Sequence, residues 1–144
     1  MLRRWYRVRR GFLVALVCFS AVLGYYTFEV VRARAETPRI VAQAFVTHPL
    51  ELSPDALSAA QLQALLAVAD PHFFTHHGWD FGRGTMTTIT QTLVKGLYFE
   101  RFKPGIRKIR QSLIARFALD PQLPKDEQLR LFINTIWLGS VDGR

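Results

Sequence analysis

Between Phe81 and Arg116 eight basic side chains (Arg83, Lys95, Arg101, Lys103, Arg107, Lys108, Arg110 and Arg116) stand against one acid, Glu100. Cations at that density can hold phosphate or pyrophosphate through charge-assisted hydrogen bonds, or rest against an anionic membrane. The plainer reading is a solvated helix face. Just ahead lie His72, His76 and His77. His72 and His76 share a helical face at i, i+4, as two zinc ligands would, but no cysteine or third ligand follows at a familiar spacing. His76 therefore reads as ordering its own loop through hydrogen bonds, and neither a metal nor a cofactor is expected. Thr87, Thr88 and Thr90 suit caps and packing as well as ligand contact. Asn134 suits the bracing of neighbouring backbone.

These residues must be positioned by a short chain. At 144 residues there is room for one small domain plus an anchor. A 49% hydrophobic share against 21% charged excludes a disordered polar chain. The net charge of +8 is uneven, with Arg3, Arg4, Arg7, Arg9 and Arg10 crowding residues 1–10. An uncharged run of 18 residues, 11–28, follows at once. As a helix it spans about 27 Å, close to the hydrocarbon core of a bilayer. Trp5 and Tyr6 on one side, and Tyr25 and Tyr26 on the other, suit the two interfaces.

A cleaved signal peptide fits less well, because the one A-x-A (Ala33-Arg34-Ala35) lies beyond two arginines. The expectation is an uncleaved single-pass anchor with the N-terminus cytoplasmic and the remainder outside. Such a location sets nucleic acid aside as a partner. Cys18, the single cysteine, sits within the apolar run, so the exported part has no internal disulfide.

Residues 29–52 read as a juxtamembrane connector in which Pro38 and Pro49 discourage a long helix. Ile40-Val41 and Ala44-Phe45-Val46 suit either a short strand or packing on the domain, which occupies 53–144. Ser58 with Gln61 fits a capping box that opens a helix over about 59–69, carrying Leu62, Leu65 and Leu66. Asp70-Pro71 ends it. Thr87 to Phe99 places Ile89, Leu93 and Leu97 on one face of a second helix. Pro104 opens a third, with Ile106, Ile109, Leu113 and Phe117 as its apolar stripe. Pro124 opens a fourth, with Asp126 and Glu127 in its first turn and Leu129, Phe132, Ile133, Ile136 and Trp137 along its buried face.

Four segments in order also resemble the motifs of glycosyltransferase family 51, which holds the transglycosylase domains of class A penicillin-binding proteins and the monofunctional peptidoglycan glycosyltransferases. Residues 69–78, ADPHFFTHHG, resemble E-D-x-x-F-x-x-H-x-G, matching at Asp70, Phe73, His76 and Gly78. Residues 86–96, MTTITQTLVKG, resemble G-S-T-I-T-Q-Q-L-x-K-N, with Thr92 for the second glutamine and Gly96 for the asparagine. Residues 107–111, RKIRQ, resemble R-K-x-x-E. Residues 125–134, KDEQLRLFIN, resemble K-x-E-I-L-E-x-Y-L-N, and Gly139 follows where that family has its glycine.

The resemblance covers residues 59–139 and implies a mainly α, truncated lysozyme-like transglycosylase domain on one N-terminal transmembrane helix. The interval between Gly78 and T-I-T-Q is shorter than the family's, and the chain stops at Arg144, before the family's last helices. Activity in that family implies lipid II as substrate, a catalytic glutamate as base, and a second glutamate beside the pyrophosphate. Here Ala69 and Gln111 occupy those two positions.

The resemblance therefore implies a cell-wall protein of the bacterial inner membrane without catalytic residues. Its ligand would be lipid II, a glycan strand (through the undecaprenyl pyrophosphate) or other peptidoglycan-synthesis proteins. Binding would run through Thr88, Thr90, Gln91, Lys95, Arg107 and Lys108, with Asp70, Phe73, His76, Gly78 and Asn134 as structural motif residues. The alternatives are an active glycosyltransferase and a purely structural membrane-bound module.

Overall fold

The computed structural model describes residues 2–48, 50–81, 87–103 and 105–135. Pro49, Arg83, Pro104, Ile136, Trp137 and Gly139 lie outside the described residues, as does the shortened interval at 82–86. The described elements are helical throughout, with no strand among them.

The first helix, α1, runs from Leu2 to Thr47 without interruption. Its 46 residues make a rod of about 69 Å. The anchor and residues 29–47 of the segment read as a connector are therefore one helix, and the strand alternative at 40–46 does not occur. Pro38 sits inside it. A proline has no N–H for the carbonyl four residues back, here that of Arg34. Gln122 supplies the missing donor, its Nε2 donating to the Arg34 carbonyl at 3.0 Å. The Arg34 guanidinium in turn donates to the Phe117 carbonyl at 3.0 Å. A tertiary contact thus replaces the backbone hydrogen bond, which no local reading of Pro38 could supply.

Beyond the apolar run, α1 packs one stripe onto the domain. Ala33, Thr37 and Ala44 are buried, and Val41 and Phe45 pack against the core. Thr37 Oγ1 donates to the Ala33 carbonyl and shares a 2.7 Å hydrogen bond with the Tyr98 hydroxyl. Small side chains here let the helix approach closely.

After a 3₁₀ turn, Pro54–Ala56, helix α2 spans Ala59–Ala69. It starts with the expected capping box, Ser58 and Gln61 each satisfying the other's backbone donor. Leu62, Leu65 and Leu66 face the core. Helix α3, Ile89–Tyr98, repeats the device with Thr88 and Gln91. Helix α4, Ile106–Ile114, passes into a π-type turn, Ala115–Leu119, where the Asp120 N–H reaches the Ala115 carbonyl at 3.1 Å. Helix α5, Lys125–Thr135, has Asp126 and Glu127 at its start. The core gathers Phe73, Ile89, Leu93, Val94, Ile114, Leu119, Leu129, Leu131 and Phe132.

One apolar stripe faces the other way. In α4 it is Gln111, Ser112 and Ile114 that are buried, whereas Ile106, Ile109 and Phe117 are exposed. The helix is amphipathic as the sequence implies, but its more polar side carries the packing.

Candidate functional site

The segment between α2 and α3 is built around Asp70. Its side chain is fully buried, and Oδ2 accepts from His76 Nε2 at 2.8 Å and from the Ile89 N–H at 3.0 Å. The carboxylate therefore satisfies a donor in the first turn of α3, where the helix dipole favours negative charge. Phe73 is buried beside it, edge-on to His76. His72 and His77 face other aspartates, at 2.8 Å (Asp80) and 3.7 Å (Asp120), so the three histidines diverge.

Gly78 has φ +82°, and a Cβ there would lie 2.5 Å from the Ala115 carbonyl oxygen. Only glycine permits both that conformation and that approach to the π turn. Ala69 is half-buried and packs against the core.

The T-I-T-Q side chains are turned inward. Thr88 Oγ1 donates to the Gly78 carbonyl at 3.0 Å while capping α3. Thr90 Oγ1 donates to Gln128 Oε1 at 2.7 Å. Gln91 Nε2 donates to Ser112 Oγ at 2.8 Å. Gln111, 1% exposed, donates through Nε2 to the Gln91 carbonyl at 2.6 Å, and its Oε1 is buried without a partner. The α3–α4 contact is thus a polar seam. Sequence reasoning missed Asp120 and Gln128. Gln128 Nε2 donates to Asp120 Oδ1 and to the Leu123 carbonyl, and Lys125 Nζ lies 2.7 Å from that same Asp120 oxygen. Lys125 also stands over the Phe73 ring. No local pattern marks a glutamine as a core hydrogen-bond hub.

The expected cations divide into two kinds. Lys95 is exposed, lies 5.8 Å from the Phe102 ring centroid, and lines a cavity of about 510 Å³. His48, Thr92, Phe99 and Glu100 share that cavity over a floor of Leu93, Leu131 and Phe132. Lys108 Nζ donates to Thr87 Oγ1 at 2.9 Å. Burial, and then the charge of Lys95, push the Lys108 amine below its usual value. An anion placed between the two ammonium groups would relieve that repulsion. Arg107 instead holds the loop before α4, donating to the Arg101 carbonyl. Asn134 braces Leu52, exchanging hydrogen bonds with its N–H and its carbonyl at 3.0 and 2.8 Å.

The chain is similar to a monofunctional glycosyltransferase of Staphylococcus haemolyticus, 23% identical over 146 residues, covering 91% of this chain and 52% of that protein. It is similar to a putative transglycosylase of Cupriavidus necator, 27% identical over 142 residues, covering 88% of this chain and 60% of that protein. It also matches penicillin-binding protein 1A of Escherichia coli, 27% identical over 115 residues, covering 69% of this chain and 13% of that protein. The chain thus spans about half the length of the first of these relatives. No protein-family model matches it, and no solved structure does.

These relatives and the motif order together support a domain of the transglycosylase class. It is a glycosyltransferase family 51-like domain, mainly helical, on a helix long and apolar enough to cross a membrane.

Proposed function

We propose that this chain is a membrane-anchored, peptidoglycan glycosyltransferase-like protein of cell-wall synthesis that binds lipid II or glycan strand without transferring it. On this reading it is single-pass in the bacterial inner membrane, with the domain outside. The observation that carries the reading is the state of the two glutamate positions. Ala69 has no proton acceptor, and the amide of Gln111 is buried against the Gln91 carbonyl. Asp70 is no substitute base, because its carboxylate is buried and holds His76 and the start of α3. General-base catalysis supplies about 10²–10⁴-fold, so its loss costs roughly 3–5 kcal/mol of barrier.

The leaving-group side retains its charge. Lys95 lines a cavity with an apolar floor, and its charge reaches the part-buried Lys108 amine on α4, an arrangement that suits a pyrophosphate joined to a hydrocarbon. Of the six ligand contacts expected from sequence, Thr88, Thr90 and Gln91 have their side chains in internal hydrogen bonds. The proposal therefore rests on the lysines, with Arg107 shaping the loop beside them.

The test is a polymerisation assay with labelled lipid II on the full-length protein, run beside a binding measurement. Binding without glycan product, weakened by Lys95→Ala, is the expected result. Glycan chains would establish an active glycosyltransferase instead. Absence of both would leave a structural membrane-bound module.

A further inference from the structure

One face of α1 carries charges of alternating sign, Glu29, Arg32, Glu36 and Arg39. With Tyr98 of α3 and Arg110 of α4 they line a cavity of about 300 Å³. It shares one lining residue, Leu97, with the Lys95 cavity and is otherwise separate from it. A ladder of alternating charge is by itself a solvated helix face. Here it walls a concavity, and its charges are unevenly satisfied.

Glu29, whose side chain is 11% exposed, pairs with Arg110 at 2.7 Å. That guanidinium also stands 5.2 Å over the Phe99 ring, and its Nε is buried without a partner. Arg32 pairs with Glu36 at 3.0 Å, one helical turn on, in an exposed contact that water screens. Among the described residues no carboxylate pairs with Arg39. The lining therefore holds an unpaired guanidinium, a buried donor in want of an acceptor, and a carboxylate, Glu36, whose pair a ligand exchanges at small cost.

The order of the charges selects the ligand. A simple anion drawn to Arg32 and Arg39 would meet Glu36, which stands between them on the same face. A simple cation drawn to Glu36 would meet an arginine on either side. A phosphate joined through two carbons to a protonated amine satisfies both signs, because its charges lie close to the roughly 5–6 Å apart that separates neighbours at i, i+4. Its oxygens accept charge-assisted hydrogen bonds from guanidinium groups, and its ammonium donates to a carboxylate.

We infer that this cavity is a second ligand site, for an amino-phosphate zwitterion, with Arg32 and Arg39 holding the phosphate and Glu36 the amine. An ethanolamine phospholipid and free phosphoethanolamine both carry that chemistry. Glu29 follows the apolar run directly, so Arg32 stands about 6 Å and Arg39 about 17 Å past its end. The headgroup layer of a bilayer is about 5–8 Å deep on each side. With α1 as an anchor, the lower end of the cavity thus lies at the level of lipid phosphates and the upper end in water. The lipid source rests on that reading of α1, and the soluble source does not.

Native mass spectrometry tests this on the full-length protein released from micelles containing equal amounts of phosphatidylethanolamine and phosphatidylglycerol. The expected result is one retained phosphatidylethanolamine, several-fold over phosphatidylglycerol. A Glu36→Gln/Arg39→Gln double variant should lose that preference, whereas Arg130→Gln, exposed on α5, should keep it. Both altered side chains of the double variant reach solvent, and an unchanged thermal unfolding midpoint would show that it folds. Free phosphoethanolamine, added at millimolar concentration, separates the two sources. A one-to-one adduct that the double variant loses, without any lipid preference, assigns the site to the soluble ligand. A lipid preference that free phosphoethanolamine does not displace assigns it to the headgroup. Preference for phosphatidylglycerol would show a plain anion site and overturn the inference. Equal retention of the two lipids with no phosphoethanolamine adduct overturns it as well, as does a preference that survives the double variant.

Discussion

Restoring a glutamate at position 111 is the natural way to ask whether the site can be revived, and the structure predicts a stability cost for it. The Gln111 amide donates to the Gln91 carbonyl at 2.6 Å in a fully buried seam. In Gln111→Glu that donor becomes an oxygen, so an ionised carboxylate would face a carbonyl at the same distance. The least costly escape is for the acid to stay protonated and donate in place of the amide. An unfolded glutamate titrates near 4.3, so holding it protonated at pH 7 costs about 3.7 kcal/mol at 1.36 kcal/mol per pH unit.

The sign follows from proton binding. The folded variant binds a proton that the unfolded chain has released above about pH 4.3, so its stability falls as pH rises through that range. Relative to wild type, Gln111→Glu should lose about 3–4 kcal/mol at pH 7 and only about 1 kcal/mol at pH 5. Thermal or denaturant unfolding of the full-length protein in micelles, wild type beside variant from pH 4.5 to 7.5, measures it. Equal stability at pH 7, or a deficit that does not change with pH, would refute the reasoning. It would mean that position 111 turns toward solvent or a cation when it carries a carboxylate.

Two further perturbations test the framework of the site. Gly78→Ala should destabilise the protein by about 2–5 kcal/mol, from left-handed backbone strain and the 2.5 Å approach to the Ala115 carbonyl, measured by the same unfolding assay. A deficit under 1 kcal/mol would show that the π turn yields easily. Gln122→Ala should cost about 1 kcal/mol more in the native chain than in a Pro38→Ala background, where a backbone N–H can again serve the Arg34 carbonyl. Equal costs in the two backgrounds would dissociate Gln122 from the proline.

Helix positions were legible because their signals are local. Ser58 with Gln61 caps α2, the acids at 126 and 127 open α5, and the apolar spacing of residues 89–97 marks α3. Motif order was equally legible and pointed to the transglycosylase-like domain that the relatives support. Side-chain direction was not. Thr90 and Gln91 are polar, and nothing nearby in the chain tells that Gln128 and Ser112 await them in the core.

The sequence by itself determined the composition of the parts: an apolar segment behind five arginines, four short helices with their caps, and a motif set without its glutamates. Each depends on residues within a turn or two of one another, or on identity alone. Only the tertiary structure decided that α1 runs through Pro38, since the donor replacing the proline's missing N–H comes from Gln122, far along the chain. The structure also decided that α4 packs through Gln111, Ser112 and Ile114 and leaves Ile106 and Ile109 outside. Periodicity shows that a helix has two faces. Which face is buried depends on what the neighbouring helices offer, and here a polar seam with hydrogen-bond partners took the inside.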